Sequence, residues 1–148
     1  MLQQNGAAPL PSFFVGKTIT NDRITRFMDT KHGLLSEALG SPETKAIWYS
    51  RDHVSQWLEE LDRAGADGMR IYFGAQGETD DYPGQLCLLM VMTTANTQSG
   101  GHTDIKLEDA PDFQARDLQP TGGKAVTRDF NTGSPCPPLC EPGMGFPE

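Results

Sequence analysis

Residues Ala64-Gly65-Ala66-Asp67-Gly68-Met69-Arg70-Ile71-Tyr72-Phe73-Gly74-Ala75 mark a change of apolar period, and that change decides the fold. Before it, Val54, Trp57, Leu58 and Leu61 recur at i, i+3, i+4 and i+7, the spacing of one helix face. Ser50 suits an N-cap, Asp52 and Arg63 sit correctly for the helix dipole, and Gly65 is a natural stop. After it the period falls to two. Arg70 and Tyr72 point to one side of an extended chain, and Met69, Ile71 and Phe73 to the other. The pattern predicts a helix over 50–64 followed by a strand over 69–75.

Working outward, Ala46-Ile47-Trp48-Tyr49 is a short aromatic and β-branched run that predicts a strand near 44–49. Leu86–Thr94 is apolar on both faces, as suits a central strand. The ten residues Gln76–Gln85 joining it to 69–75 are long for a hairpin loop, and long loops often carry function. Upstream, Thr20 as N-cap, the shared face of Ile24, Phe27 and Met28, and Gly33 as terminator predict a helix over 20–32. Leu34 to Leu39 add a second short helical piece. The order implies an α+β domain, a small sheet on two or three helices, spanning residues 19–110. Residues 1–18 read as a loose arm pinned by Phe13-Phe14-Val15.

Residues 95–148 hold seven glycines and seven prolines, about a quarter of that length, so the chain from 111 to 148 reads as an irregular tail. Further short strands are expected near 102–107 and 125–130. Phe113, Leu118, Val126 and Phe130 give the tail apolar anchors with which to wrap the domain. A length of 148 residues suits one core. The net charge of −8 is spread evenly, with 8 bases against 12 acids before residue 95 and 4 against 8 after it. No basic stripe offsets it, which argues against nucleic acid and anionic lipid as partners. The longest apolar run, Leu86–Met92, is too short to cross a bilayer, and no secretory n-region precedes it. The expected compartment is the cytoplasm, where three cysteines would stay reduced.

Two segments stand out together: Ala66-Asp67-Gly68-Met69-Arg70-Ile71-Tyr72-Phe73-Gly74 and Cys136-Pro137-Pro138-Leu139-Cys140. They resemble an uncharacterised family of short bacterial proteins with a D-G-hydrophobic-R-hydrophobic-Y-F-G strand and a C-P-P-x-C ending. The similarity takes in Thr44–Ser50 and the helix after it, and so covers residues 20–94 and the end of the tail. The family has no assigned activity, so the resemblance implies context and not chemistry.

Four constellations could carry chemistry. Cys136 and Cys140 could chelate a metal, close a ring or stay free. An extended polyproline segment would hold them about 12 Å apart, whereas a disulfide needs Cα atoms about 4.4–6.8 Å apart; a turn led by Pro138, or a cis bond before a proline, would bring them together at modest cost, and the spacing implies neither. A zinc site would also need Cys87 and one of His32, His53 or His102, and Cys87 reads as core. Free thiols are therefore expected, with zinc the candidate cofactor otherwise. Arg70 and Tyr72 together suit an anion or a structural carboxylate, with Asp67 or a tail acid as partner. Glu78, Asp80 and Asp81 in the 76–85 loop lack the alternation of a calcium loop and read as a solvated turn. His102, two residues before Asp104, has the makings of an oriented base but no accompanying nucleophile motif. Trp48, Trp57 and Phe27 read as core.

The leading functional expectation is thus a non-catalytic binding or accessory protein, its partner a protein or small molecule, with self-association open to it. One rival is a small enzyme with an anion site at Arg70 and Tyr72 served by acids of the 78–81 loop. The other is a metal-stabilised or redox-responsive domain built on Cys136 and Cys140.

Overall fold

The computed structural model describes residues 8–106, 133–140 and 143–145. It is an α+β fold with two small antiparallel sheets. Helix α1 (Gly16–Phe27), a π-turn (Met28–His32) and helix α2 (Gly33–Leu39) run on without a break. Strand β1 is Ala46–Trp48, helix α3 is Arg51–Ala64, and strands β2, β3 and β4 are Gly68–Ala75, Leu86–Asn96 and Gly101–Asp104. Strand β5, Ser134–Cys136, closes the order.

The first helix departs from the expected 20–32 at both ends. It begins at Gly16, inside the segment expected to be a loose arm, and Thr20 does not cap it: the Thr20 hydroxyl donates to the carbonyl of Gly16 instead (2.8 Å). Gly33 does not stop it either, because its φ of −61° and ψ of −45° are helical. Termination comes at Gly40, in the left-handed region at φ 78°, where its N–H bonds the carbonyls of Ser36 and Glu37. Phe13, Phe14 and Val15, expected to pin the arm, are all exposed.

Helix α3 forms as its sequence dictates. Ser50 Oγ accepts the N–H of His53, and Gly65 at φ 61° ends the helix. Its apolar face is only partly covered. Trp57 is half-buried and meets Tyr49 edge-on, with ring centroids 4.8 Å apart, but Val54 and Leu58 keep 42% and 59% of their surface exposed. Of the four, only Trp57 and Leu61 are half-buried, and the ring contact of Trp57 is with Tyr49, outside either sheet. Trp48 is exposed as well, and Phe27 is half-buried.

The expected single sheet is instead two. β3 is the centre of β2-β3-β4, apolar on both faces as its sequence predicted, and it contributes the buried Cys87, Met90 and Met92. β1 stands apart and pairs with β5, Ala46 opposite Cys136 and Trp48 opposite Ser134. The partner of β1 thus comes from the far end of the chain. Gly133 leads into it, and a Cβ there would come within 2.3 Å of Ile47 and 2.6 Å of the Tyr49 ring. β4 ends at Asp104, short of the expected 107. The strand expected at 125–130 and the tail anchors Phe113, Leu118, Val126 and Phe130 lie outside the described residues.

One buried acid joins these parts. Glu43, 5% exposed, takes the backbone N–H groups of Thr44 and Leu86 on its Oε1, each at 2.6 Å. Its own N–H donates to Ser36 Oγ (2.9 Å), and its carbonyl accepts from His32 Nε2 (2.8 Å). The end of the long helix, the 42–45 segment and the loop end of the β2–β3 hairpin therefore meet at one residue. No helix among the described residues is long and apolar enough to cross a membrane.

Candidate functional site

Residues of alternate parity on β2 face opposite sides of the sheet, and directly opposed residues of neighbouring strands share a side. The register sets Gly68 opposite Thr93, Arg70 opposite Val91 and Tyr72 opposite Leu89. Across the other edge of β3, Thr93 faces Asp104 and Ala95 faces His102. Arg70, Tyr72, Thr93, His102 and Asp104 therefore lie on one side of the sheet, and Asp67 joins them from the turn before β2.

They form a single polar network. Arg70 and Tyr72 both reach over the central strand to Asp104: the guanidinium pairs with Oδ1, and the phenol donates to Oδ2. A second guanidinium nitrogen donates to the carbonyl of His102 at 3.0 Å. His102 Nδ1–H donates to Asp67 Oδ2 at 2.6 Å, and Thr93 Oγ1 donates to Asp67 Oδ1 at 2.7 Å. The Asp67 carboxyl is held below the ordinary aspartate range, first by the Thr93 hydroxyl and then by His102. Arg70 is held still more firmly protonated, chiefly by its bond to the Tyr72 hydroxyl.

Arg70, Tyr72 and His102 are thus brought together, but with different partners from those expected. The imidazole is oriented by Asp67, not Asp104, and Asp104 serves Arg70, not a tail acid. The reason is strand geometry. His102 and Asp104 are two residues apart on one strand, about 7 Å, so each bonds a different neighbour across the sheet. Thr93 is the member the sequence reading missed, and Asp67, expected beside Arg70, serves His102 instead. The signal for Thr93 was the register alone, which sets Gly68 beside it.

Glu78 and Asp80 take no part. They belong to the loop at the opposite end of the hairpin, where Asp80 caps its own turn by accepting the N–H of Gly77 (2.6 Å). Gln76 N–H to Gln85 O (2.8 Å) and Gly84 N–H to Gln76 O (3.0 Å) close that loop. The pairing of Arg70 and Tyr72 with the 78–81 acids is therefore not formed.

The two terminal cysteines, expected free, are joined. Cys136 and Cys140 form a disulfide with Cα atoms 4.6 Å apart, the peptide bonds before Pro137 and Pro138 both being cis. The chain turns here instead of extending, and Leu139 N–H bonds back to the carbonyl of Pro135 (2.9 Å). Cys136 is buried against β1, with Met144 Sδ 3.7 Å from its sulfur, and Cys140 is exposed. Cys87 is a buried thiol. Among the described residues no three His, Cys, Asp or Glu side chains converge as a metal would require.

The other side of β2 is different in kind. Ile71 and Phe73 keep 53% and 79% of their surface exposed, although they flank the network on the same strand. β2 is an edge strand, and no strand among the described residues pairs with its outer side. Comparison of the chain with protein-family models, curated proteins and solved structures returned no match. The resemblance drawn from residues 44–50, 66–74 and 136–140 therefore rests on the sequence alone.

Proposed function

We propose that this chain is a non-catalytic binding or accessory protein that engages another protein through strand β2. The observation that carries the reading is the exposure of Ile71 and Phe73 on an open edge strand. Single exposed apolar residues are ordinary, but large neighbours on a strand with free backbone donors and acceptors form a recognised docking element. The polar network supports the same reading. The Arg70 guanidinium already serves Asp104 and the His102 carbonyl, which leaves little of it for an anion. The evenly acidic chain disfavours nucleic acid.

The test is capture from an extract of the expressing cells with wild-type, Ile71→Lys/Phe73→Lys and His102→Ala chains in parallel. The captured set should change with the β2 variant and survive the His102 substitution. A set that depends on His102 and ignores Ile71 and Phe73 would move the function to the polar network. The enzyme reading would then lead, because Asp67 fixes the His102 ring through Nδ1 and its Nε2 has no partner among the described residues.

A further inference from the structure

The outer edge of β2, unpaired by any strand among the described residues, has a definite hydrogen-bonding pattern. Gln76 bonds Gln85 in continuation of the β2–β3 register. In an antiparallel ladder the residues that bond inward alternate. Gly74, Tyr72, Arg70 and Gly68 therefore turn their N–H and C=O groups toward β3. Met69, Ile71, Phe73 and Ala75 turn theirs to the open side, and none of them is proline.

Natural edges are commonly guarded by a charge, a proline or a bulge. β2 has no proline, and its register with β3 runs unbroken from Gly68 to Ala75. Its one charged residue, Arg70, is drawn across the sheet to Asp104. The strand is thus locally neutral within a chain of net charge −8.

We infer that the partner of β2 is a second copy of this chain, paired antiparallel across a twofold axis at Tyr72, an inference that rests on the binding role proposed above. Opposed residues must share a side, and both must bear outward-facing groups, which allows several twofolds along the strand; the one at Tyr72 is the one that sets its two most exposed apolar side chains against each other. Ile71 then stands opposite Phe73 of the partner subunit, and Met69 opposite the partner's Ala75, each pair exchanging backbone hydrogen bonds. The most exposed apolar side chains of the strand cover one another, twice, by symmetry. Tyr72 meets its own copy at a non-hydrogen-bonded position. Arg70 stands opposite the partner's Gly74, where no side chain obstructs it and no like charge is opposed. A six-stranded sheet continuous through both subunits results.

Sedimentation of the purified full-length chain over a micromolar-to-millimolar series tests this. Wild type is expected to dimerise. Ile71→Lys/Phe73→Lys sets like charges directly opposite and should raise the dimer dissociation constant about tenfold or more. Ile71→Lys/Phe73→Glu sets opposite charges in the same register and should restore dimerisation. In wild type, hydrogen exchange at the amides of Ile71 and Phe73 should slow as concentration rises, a readout independent of any variant. A wild-type monomer throughout the series overturns the inference, as does a dimer indifferent to the double-lysine change. A folded Ile71→Lys/Phe73→Glu chain as monomeric as the double-lysine one overturns the register and with it the twofold at Tyr72. A monomer whose capture of other proteins still depends on Ile71 and Phe73 would sink self-pairing and leave the binding role standing.

Discussion

Replacing Glu43 tests the junction that holds helix, hairpin and inter-element segment together. The carboxylate accepts the N–H groups of Thr44 and Leu86 on one oxygen, both at 2.6 Å. Thr44 is 1% exposed, so in Glu43→Ala its N–H would be left buried without an acceptor. A hydrogen bond to a charged group contributes about 1.5–3 kcal/mol, and a stranded buried donor costs about 1–3 kcal/mol. Leu86 is only half-buried, so water recovers part of its loss. Relief from burying the carboxylate offsets a further part. The expected net loss is about 2–4 kcal/mol. Glu43→Gln keeps an oxygen in place without the charge, and neutral bonds are roughly half as strong, so about 1–2 kcal/mol should go. Urea unfolding followed by far-UV circular dichroism reads both, and the alanine variant should lower the midpoint by about 1–2 M. An alanine variant within about 0.5 kcal/mol of wild type would show that the junction contributes nothing. A glutamine variant as damaged as alanine would show that charge, not acceptor placement, matters.

Trp57→Ala should cost about 2 kcal/mol, below the 3–5 kcal/mol of a fully buried ring, since its surface is partly open and its main aromatic contact is Tyr49; a loss beyond about 4 kcal/mol would mean α3 seats far more deeply than described. In denaturant without reductant one thiol, Cys87, should react, rising to three after reduction; three at the outset in freshly prepared anaerobic protein would argue against the ring. Cys136→Ser/Cys140→Ser should cost about 2 kcal/mol or less, because a bridge separated by four residues restricts the unfolded chain little. For Asp67, a carboxyl-carbon NMR titration should place the midpoint below the ordinary value of 3.8, and Thr93→Val should raise it. The depressed value means its stabilising contribution is present above pH 3.8 and is lost as pH falls through the lowered midpoint; a wild-type midpoint at or above 3.8 would contradict the described bonding.

Where structure is local, the sequence was readable. Helix α3 was legible because its cap, period and stop lie within sixteen residues, Ser50 to Gly65, and each acts through its immediate neighbours. Gly33 misled because glycine permits the left-handed conformation without requiring it, and the helical turns on either side hold it at φ −61°. The β1 partner was illegible for another reason. Ala46 pairs with Cys136, ninety positions away, and no local pattern in Ala46–Trp48 points there. The cysteine spacing left an extended run and a turn at a proline both open; the fold takes the turn, against an expectation of free thiols that rested on a reducing compartment. At the candidate site the residue types were right and the pairing was exchanged. Asp67 was assigned to Arg70 and Asp104 to His102, because proximity in sequence was taken for proximity across a strand.

The exchange has consequences beyond bookkeeping, because it determines what the edge strand shows to solvent. Had Arg70 paired with Asp67, in the turn before its own strand, its charge would lie beside β2 and guard that edge as charged residues commonly do. Paired with Asp104 on the far strand, it lies flat across β3, and Tyr72 follows it to the same carboxylate. One side of the sheet is thereby cross-tied from edge to edge. The other side and the open backbone of β2 keep Ile71 and Phe73 without a charge between them. Exposed salt bridges add little stability, about 0–1 kcal/mol, so stability is a weak reason for this arrangement. Its larger physical effect is positional: a neutral, apolar strand edge of unbroken register on a chain of net charge −8. Polar network and proposed docking edge are thus two faces of the same strand, and the first draws charge away from the second.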